Sequence, residues 1–290
     1  MAIFGQLFVS GVAYGAIYAL IAVAFSMIYR GSRVINFAQG YFASIGAYAA
    51  YAGLTTFHVP YPLAVVFGIV VVIALSLLVE RFAFRPLYKA GPLYVIVSSI
   101  ALTFVMHTAI LLIWGARALK LPPMVGGAFW IGGVVISWQQ LIVIVGLALS
   151  VLVLQFLFRG RIGRAMRAAA ENPQVAGLLG IQPRHMVAIT FVLSSVLTAL
   201  AGVLVAPLTY LEPGMGGSLG LIGIVAAIVG GLGNVFGAVA GGFAIGLINA
   251  LSAYAVGGNF VEIITFSVLL VVLLLRPQGL FGEEGMVSRA

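Results

Sequence analysis

Nine apolar stretches recur along the 290-residue chain, and most of them are long enough to cross a lipid bilayer. A helix needs roughly 20 apolar residues for this, because lipid offers no hydrogen-bond partner to an unpaired backbone N–H or C=O group. The mean hydropathy of +1.23 also indicates that lipid is the main solvent of the chain. We therefore predict an all-α polytopic membrane protein in which residues 1–290 form a single transmembrane domain. The predicted segments are 5–29, 35–54, 61–80, 93–114, 138–158, 186–210, 219–233, 236–256 and 260–275.

The seventh segment, 219–233, is short for a full crossing. A glycine-rich turn at 230–234 joins it to the eighth, so it is predicted to be a half-helix or a re-entrant turn. The sequence thus predicts eight or nine transmembrane segments. Residues 31–50 and 216–235 each open with Gly and Ser ahead of apolar residues, a similarity typical of inverted repeats in transporters.

Basic residues collect in alternate loops, which predicts an orientation. Ten of the fourteen lie in loops 30–33, 81–92 and 159–185, and the loops on the opposite side hold two, Arg117 and Lys120. Since Lys and Arg concentrate in cytoplasmic loops, the N-terminus is predicted to be outside. The formal net charge of +8 therefore indicates orientation in a membrane and does not indicate nucleic-acid binding.

Residues 159–185 form the one long polar stretch of the chain. Within it, Asn172 and Pro173 predict a helix start, because an Asn side chain accepts hydrogen bonds from free N–H groups and Pro suits the first helical position. Gly180 can adopt the left-handed conformation that ends a helix. Between them, three apolar residues share one stripe at i, i+3 and i+4. They are Val175, Leu178 and Leu179. We interpret this short amphipathic helix as the contact for a soluble partner.

Several amides lie at or within the apolar segments, where their donors and acceptors need partners. One interpretation is that they line a translocation path, with Gly40 permitting close backbone approach or a break in the helix. The alternative is hydrogen bonding between helices that only fixes their packing. The amide residues are Asn36, Gln39, Asn234 and Asn249.

Other polar residues favour structural roles. Glu212 precedes a Pro-Gly pair and is expected to be a solvated charge in an outer loop. Tyr14 and Tyr18 are expected to pack between helices, although a pore-lining role stays open. His107 has no acidic neighbour in the sequence and is expected to be a hydrogen-bonded structural histidine.

The sequence contains neither a G-x-x-x-x-G-K-[ST] loop nor an H-E-x-x-H motif, and it has no cysteine and no aspartate. We therefore predict no catalytic residue, no metal site and no bound cofactor in this chain. Without Asp, a proton- or sodium-coupled relay lacks its usual ligands. Energy for uphill transport is expected to come from outside the chain.

Five stretches, in this order and spacing, resemble the membrane permease subunits of branched-chain amino acid ABC importers from bacteria and archaea. The resemblance covers nearly the whole chain. The stretches are VINFAQG (34–40), ERFAFRPLY (80–88), GRAMRAAAENPQVAGLLGI (163–181), GGLGNVFGAVAGG (230–242) and RPQGLFG (276–282).

The resemblance implies a multi-pass permease of the prokaryotic inner membrane, in which residues Glu171 to Gly180, with Asn172, form a cytoplasmic coupling helix docked on an ATPase. Arg164 and Arg167 are expected to hold this loop against partner carboxylates or anionic lipid headgroups. The implied partners are two ATPase subunits that bind ATP and Mg, a second homologous permease and an extracytoplasmic substrate-binding protein.

The chain departs from the family pattern at two positions. Gln39 stands where many relatives have His, and Ile222 stands where many have Lys. The resemblance implies a branched-chain amino acid as the cargo. Because of these two departures, other amino acids, amides or urea stay open as alternatives. A self-contained secondary transporter or channel is the alternative from another class.

Overall fold

Eleven α-helices and one β-hairpin make up most of the computed structural model, which describes residues 2–32 and 34–282. Arg33 of the first basic loop and the side chain of Lys89 lie outside this description. The helices are α1 Ala2–Ser32, α2 Gln39–Thr55, α3 Tyr61–Val79, α4 Pro92–Trp114, α5 Trp138–Arg159, α6 Arg161–Glu171, α7 Pro173–Leu178, α8 Pro183–Val205, α9 Met215–Gly230, α10 Val235–Ala255 and α11 Val261–Leu275. The hairpin pairs β1 Ala128–Ile131 with β2 Val134–Ser137.

Seven helices in the described part of the chain are long and apolar enough to cross a membrane, which confirms a polytopic membrane protein. They are α1, α3 with the π-helical turn Glu80–Phe84, α4, α5, α8, α10 and α11 with its leading 3-10 turn. The helices α2 and α9 are shorter, at 17 and 16 residues. The hairpin, inside the predicted loop 115–137, is an exception to the all-α prediction.

The central helix is α1, in which every residue from Gly15 to Ile28 is buried. It lies against α8, α9 and α10, so it faces protein on almost all sides. Its contact with α10 is closest where Gly246 meets the backbone of Gly15 and Gly242 meets that of Ala19. Helices in lipid gain no hydrophobic drive from contact with each other, so such close backbone approach supplies much of their packing energy.

Side-chain contacts define two ends of the helix bundle. At the hairpin end, Gln6 near the start of α1 exchanges two hydrogen bonds with the backbone of Val135. At the basic end, Gly31 packs against Thr190 of α8, and Arg30, Arg159 and the turn before α10 line one cavity. The predicted basic loops 30–33 and 159–185 are thus placed together.

The two short helices begin inside the bundle, next to each other. Gly40 at the start of α2 touches Gly220 of α9, and Gly216 at the start of α9 touches Ser44 of α2. Gly223, about two turns into α9, packs on Ile21 of α1. Two helical turns span roughly 12 Å, so the first turn of α9 lies that far from Ile21 toward the N-terminus of α1, near the midpoint of that helix. Non-helical residues 34–38 and 206–214 lead into these helices. The two predicted repeat segments therefore meet through their helix starts.

Three predicted boundaries differ from the structure by four or five residues. The sixth segment was predicted to reach residue 210, but α8 ends at Val205, because Pro207 has no backbone N–H to continue the helical hydrogen bonds. The second was predicted to begin at residue 35 and the seventh at residue 219, but α2 begins at Gln39 and α9 at Met215. Residues 35–38 and 206–210 are mostly apolar, so hydropathy did not mark the start of α2 or the end of α8.

We expect Gly246→Ala to lower the thermal stability of the detergent-purified protein, by about 1–3 kcal/mol, because the added methyl group would meet the backbone of Gly15. Gly217→Ala is the matched control, since its methyl group would make only an ordinary contact, at 3.5 Å, with the Tyr41 hydroxyl. Equal melting temperatures for the two variants would contradict the assigned α1–α10 contact.

Candidate functional site

The polar segment at the basic end folds into two helices, α6 and α7. Asn172 caps α7 as predicted: its Oδ1 accepts the N–H groups of Gln174 and Val175, both at 3.1 Å. Gly180 follows with φ of +78°, and the Ile181 N–H reaches back to the Ala176 carbonyl at 3.0 Å. The predicted start and end of this helix are confirmed.

The predicted apolar stripe on α7 faces away from the rest of the chain. Leu178 is 87% exposed and Leu179 is 72% exposed, while Val175 is about half exposed. Ala176, on the opposite face, is buried. Large apolar side chains grouped at a polar membrane face are typical of a surface that binds another protein.

Arg164 and Arg167 bind the end of the preceding helix, which the sequence did not reveal. The Nη1 of Arg167 donates to the Phe158 carbonyl at 2.9 Å, and the Nη1 of Arg164 donates to the Arg159 carbonyl at 3.2 Å. Carbonyls in the last turn of a helix lack intrahelical partners, and cations there also oppose the negative end of the helix dipole. The two arginines therefore fasten α6 to α5. Glu171 ends α6 and is exposed.

At the entry to α2, Asn36 and Gln39 form a closed hydrogen-bond network. Asn36 Nδ2 donates to Gln39 Oε1 at 3.2 Å, and Gln39 Nε2 donates to Thr198 Oγ1 on α8 at 2.6 Å. Asn36 Oδ1 also accepts the Ala38 N–H, and Ser99 Oγ accepts the Phe37 N–H, both at 3.1 Å. Both amides are buried, so this geometry favours the packing alternative for them.

The other predicted path residues lie elsewhere. Gly40 sits at the close contact of α2 with α9. Asn234 caps α10 and donates to the Phe281 carbonyl at 3.0 Å, at the basic end. Asn249 of α10 accepts a hydrogen bond from Thr265 of α11 at 2.6 Å. The structure therefore joins Asn36 and Gln39 in one network and separates them from Asn234 and Asn249.

A cavity of about 440 Å³ lies in the hairpin-end half of the bundle. Tyr14 and Tyr18 line it, together with Glu212, and Ile222 belongs to its apolar wall. Its remaining wall comes from α8, α9 and the chain between them: Val205, Leu208, Thr209, Tyr210, Met215, Ser218 and Leu219. Glu212 is exposed in the loop, as expected, and Tyr14 and Tyr18 line a cavity, which is the alternative left open for them. The sequence does not show that these three residues meet, because Glu212 is about 200 positions from the two tyrosines.

Ser218 and His107 both have chemically active side chains, and the structure gives each a local context. Ser218 completes a G-x-S-x-G pattern with Gly216 and Gly220, but the pattern lies within a helix and not at the strand-to-helix turn where such a serine acts as nucleophile. His107 is hydrogen-bonded as predicted: its Nδ1 lies 3.1 Å from the Tyr41 hydroxyl and 3.2 Å from the Pro213 carbonyl.

Seven apolar helices of membrane-spanning length, two shorter helices that start inside the bundle and a cavity between them are features expected of a membrane permease. The profile of one family, described as "Branched-chain amino acid transport system / permease component", matches residues 7–275. The chain belongs to this family.

Individual relatives agree with the family match. The chain is 34% identical to the high-affinity branched-chain amino acid transport system permease protein BraD of Pseudomonas aeruginosa, covering 96% of this chain and 95% of that one. It is 32% identical to the corresponding protein LivH of Escherichia coli K12, covering 97% and 96%. Among solved structures, PsaBC from Streptococcus pneumoniae in complex with Fab covers 96% of this chain and 91% of its own, at 13% identity and a TM-score of 0.49.

We expect Asn172→Ala to fray the first turn of α7, because two backbone N–H groups lose their acceptor at a cost of about 1 kcal/mol. Hydrogen exchange at Gln174 and Val175 should then accelerate by roughly fivefold. Asn172→Asp keeps the acceptor oxygen and should exchange at the wild-type rate. Equal exchange in all three proteins would show that this cap does not hold the helix.

Proposed function

We propose that this chain is the transmembrane permease subunit of an ATP-driven importer, located in the prokaryotic inner membrane, and that it moves branched-chain amino acids by alternating access. The observation that carries this proposal is the exposed apolar stripe of Val175, Leu178 and Leu179 on α7, in a chain of this permease family. An amphipathic helix that presents such a stripe suits a groove on a partner.

The same proposal places the N-terminus outside and the basic end in the cytoplasm. Arg30, Arg159 and the arginines of α6 lie at one end of the bundle, and the orientation rule favours the cytosol for that end. With α2 and α9 each completing a crossing through its non-helical lead-in, the chain passes the membrane nine times. The segment α6–α7 is then the cytoplasmic coupling segment.

Motion of an ATPase bound to α7 has a direct route into the bundle. Arg164 and Arg167 fasten α6 to the last turn of α5, so a displacement of α7 moves the cytoplasmic end of α5. The other face of α6 lies against α1 and α8. These contacts support a mechanism in which the coupling segment tilts the helices that surround the hairpin-end cavity.

The hairpin-end cavity is proposed to receive the amino acid from outside. Glu212 offers a carboxylate for the ammonium group of the cargo, and Leu208, Leu219 and Ile222 offer an apolar wall for a branched side chain. Other amino acids remain the nearest alternative cargo, because the carboxylate would bind any ammonium group. Amides or urea, which lack that charge, fit this cavity less well.

The remaining partners are proposed from the family relationship. Two ATPase subunits, which bind ATP and Mg, are expected on the cytoplasmic side, and an external substrate-binding protein is expected to deliver the cargo. A second homologous permease is expected to complete the path. Residues 1–290 act as one permease domain in this arrangement.

The proposal is tested by reconstituting the permease with its ATPases, partner permease and binding protein in liposomes. We expect Leu178→Asp to reduce ATP-dependent uptake at least about tenfold, because a carboxylate forced into an apolar groove has no partner. Leu178→Met, which keeps the apolar volume, should retain uptake. Arg167 is left unchanged in this test, because it holds α6 on α5 and its loss would disturb the fold of the segment as well as the contact.

Two outcomes would contradict the proposal. Wild-type uptake by Leu178→Asp would show that α7 is not the coupling contact. Concentrative uptake by this chain alone in liposomes, with every other subunit excluded, would instead favour a self-contained secondary transporter.

We expect Glu212→Gln to lower the uptake rate of a zwitterionic amino acid severalfold, because the charge-assisted hydrogen bond to the ammonium group is lost. The matched control is Glu262→Gln, which removes an exposed carboxylate of α11 outside the cavity. Co-purification of the binding protein should be unchanged in both variants. Unaltered uptake by Glu212→Gln would remove Glu212 from the path.

A further inference from the structure

A second cavity, of about 500 Å³, lies at the basic end and is distinct from the hairpin-end cavity. Faces of α1, α5 and α6 enclose it, and the turn before α10 completes its wall. The lining positions on α6, which are 163, 166, 167, 170 and 171, recur at helical spacing, so one face of that helix is committed to the cavity. None of the predicted functions of the chain requires such a cavity.

Its charge is predominantly positive. Each enclosing helix contributes one arginine: Arg30 from α1, Arg159 from α5 and Arg167 from α6. Glu171 is the single carboxylate among the lining residues. Arg167 uses one N–H group on the Phe158 carbonyl. Within residues 2–32 and 34–282, the guanidinium groups of Arg30 and Arg159 form no hydrogen bond or ion pair, so their donors are free.

Two further features lie beside the cavity. Ser26 is one of its lining residues, and the hydroxyl of Ser26 lies behind the wall, buried and without a hydrogen-bond partner in the described part of the chain. The N-terminus of the 21-residue helix α10 also forms part of the wall, through residues 233–236. Asn234 Oδ1 already accepts the Phe236 and Gly237 N–H groups, so this helix start contributes the partial positive charge of its dipole and not those two donors.

We propose that this cavity binds a phosphate-bearing anion, held by Arg30, Arg159 and Arg167. Arginine is suited to this because its planar guanidinium matches phosphate oxygens in bidentate geometry. Met27, Phe158 and Met166 provide an apolar side to the cavity, which suits the glycerol and first acyl carbons of an anionic phospholipid. A free phosphate has the same headgroup chemistry without that apolar part.

A bound phosphate would offset the mutual repulsion of the three arginines, one from each of α1, α5 and α6. It would hold the joint between α5 and α6 against α1, the central helix of the bundle. The anion thus stabilises the segment on which the proposed coupling depends, although the binding itself can be measured without transport. The inference does not rest on the identity of the cargo.

The test uses the assembled transporter, delipidated in neutral detergent, with phosphatidylglycerol, phosphatidylcholine or inorganic phosphate as the probe. Binding is followed by native mass spectrometry and by the melting temperature. The variant is Arg30→Gln with Arg159→Gln. The matched control is Arg161→Gln with Arg184→Gln, which removes two exposed arginines from the same end but outside the cavity. The two single cavity variants serve if the double variant does not assemble.

We expect phosphatidylglycerol to bind and raise the melting temperature of the wild type and the control. Its apparent affinity should fall by at least about tenfold in the double cavity variant, because the loss of a single charge-assisted hydrogen bond already weakens binding by roughly tenfold. Stabilisation by phosphatidylglycerol alone identifies a lipid headgroup, whereas an equal response to inorganic phosphate identifies a soluble anion. Either result supports the site.

Three results would overturn it. Equal anion binding by the cavity variant and the control would place the anion elsewhere. If neither phosphatidylglycerol nor inorganic phosphate binds to the wild type or raises its melting temperature, the cavity is not an anion site. Loss of the ATPase subunits from the cavity variant, without a change in anion binding, would show that the arginines bind ATPase carboxylates instead.

Discussion

The close backbone contact between α1 and α10 is the interaction on which the rest of the bundle depends. In water, two apolar helices associate because contact removes their surface from the solvent, but lipid already solvates that surface. Association in the membrane therefore relies on close packing, and the glycines at 15, 242 and 246 allow the two backbones to touch. Because α1 is buried from Gly15 to Ile28, the positions of α8 and α9 around it follow from the same packing.

A second constraint comes from the breaks in the bundle at 34–38 and 206–214. Non-helical backbone at membrane depth is tolerated only where protein or a water-filled cavity surrounds it. The first break satisfies its N–H groups through Asn36 and Ser99, and Gln39 ties it to Thr198 of α8. The second break exchanges backbone hydrogen bonds between Leu211 and Leu119, and its Pro213 carbonyl lies 3.2 Å from His107 Nδ1. Other residues of this break line the hairpin-end cavity. Both interruptions are thus supported by protein, and the second one also borders a cavity.

The sequence predicted the features that depend on local chemistry. The spans follow from apolar length, and the ends of α7 follow from Asn172 and Gly180 because their bonding partners lie within a few residues. The partners of Gln39 and Asn249 could not be predicted in this way, since Thr198 is 159 positions from Gln39. Most of the membrane-spanning helices are apolar around their whole circumference. The sequence therefore does not distinguish the side of a helix that faces lipid from the side that faces protein.

Tyr14 and Tyr18 of α1 illustrate the same limit. Their spacing places them on one face of the helix, but spacing does not reveal whether that face meets a neighbour or a cavity. The chain between α8 and α9, which completes the cavity, becomes adjacent to them only through the packing of α9 along α1. A cavity wall built from residues near 14 and near 212 is therefore a property of the tertiary arrangement.

The mechanical consequence concerns which joints of the coupling segment are stiff. At one side, two arginine hydrogen bonds link α6 to the carbonyls that end α5, and α6 lies against α1. At the other side, α7 reaches α8 through Gly180 and a short turn that has few contacts with the bundle. Under the proposed coupling, a force applied to the exposed leucines of α7 would pass through α6 to α5, α1 and α8, while the turn after Gly180 would absorb the change in angle. Because α1 and α8 also contribute walls of the hairpin-end cavity, this route would connect the proposed coupling segment to the cavity.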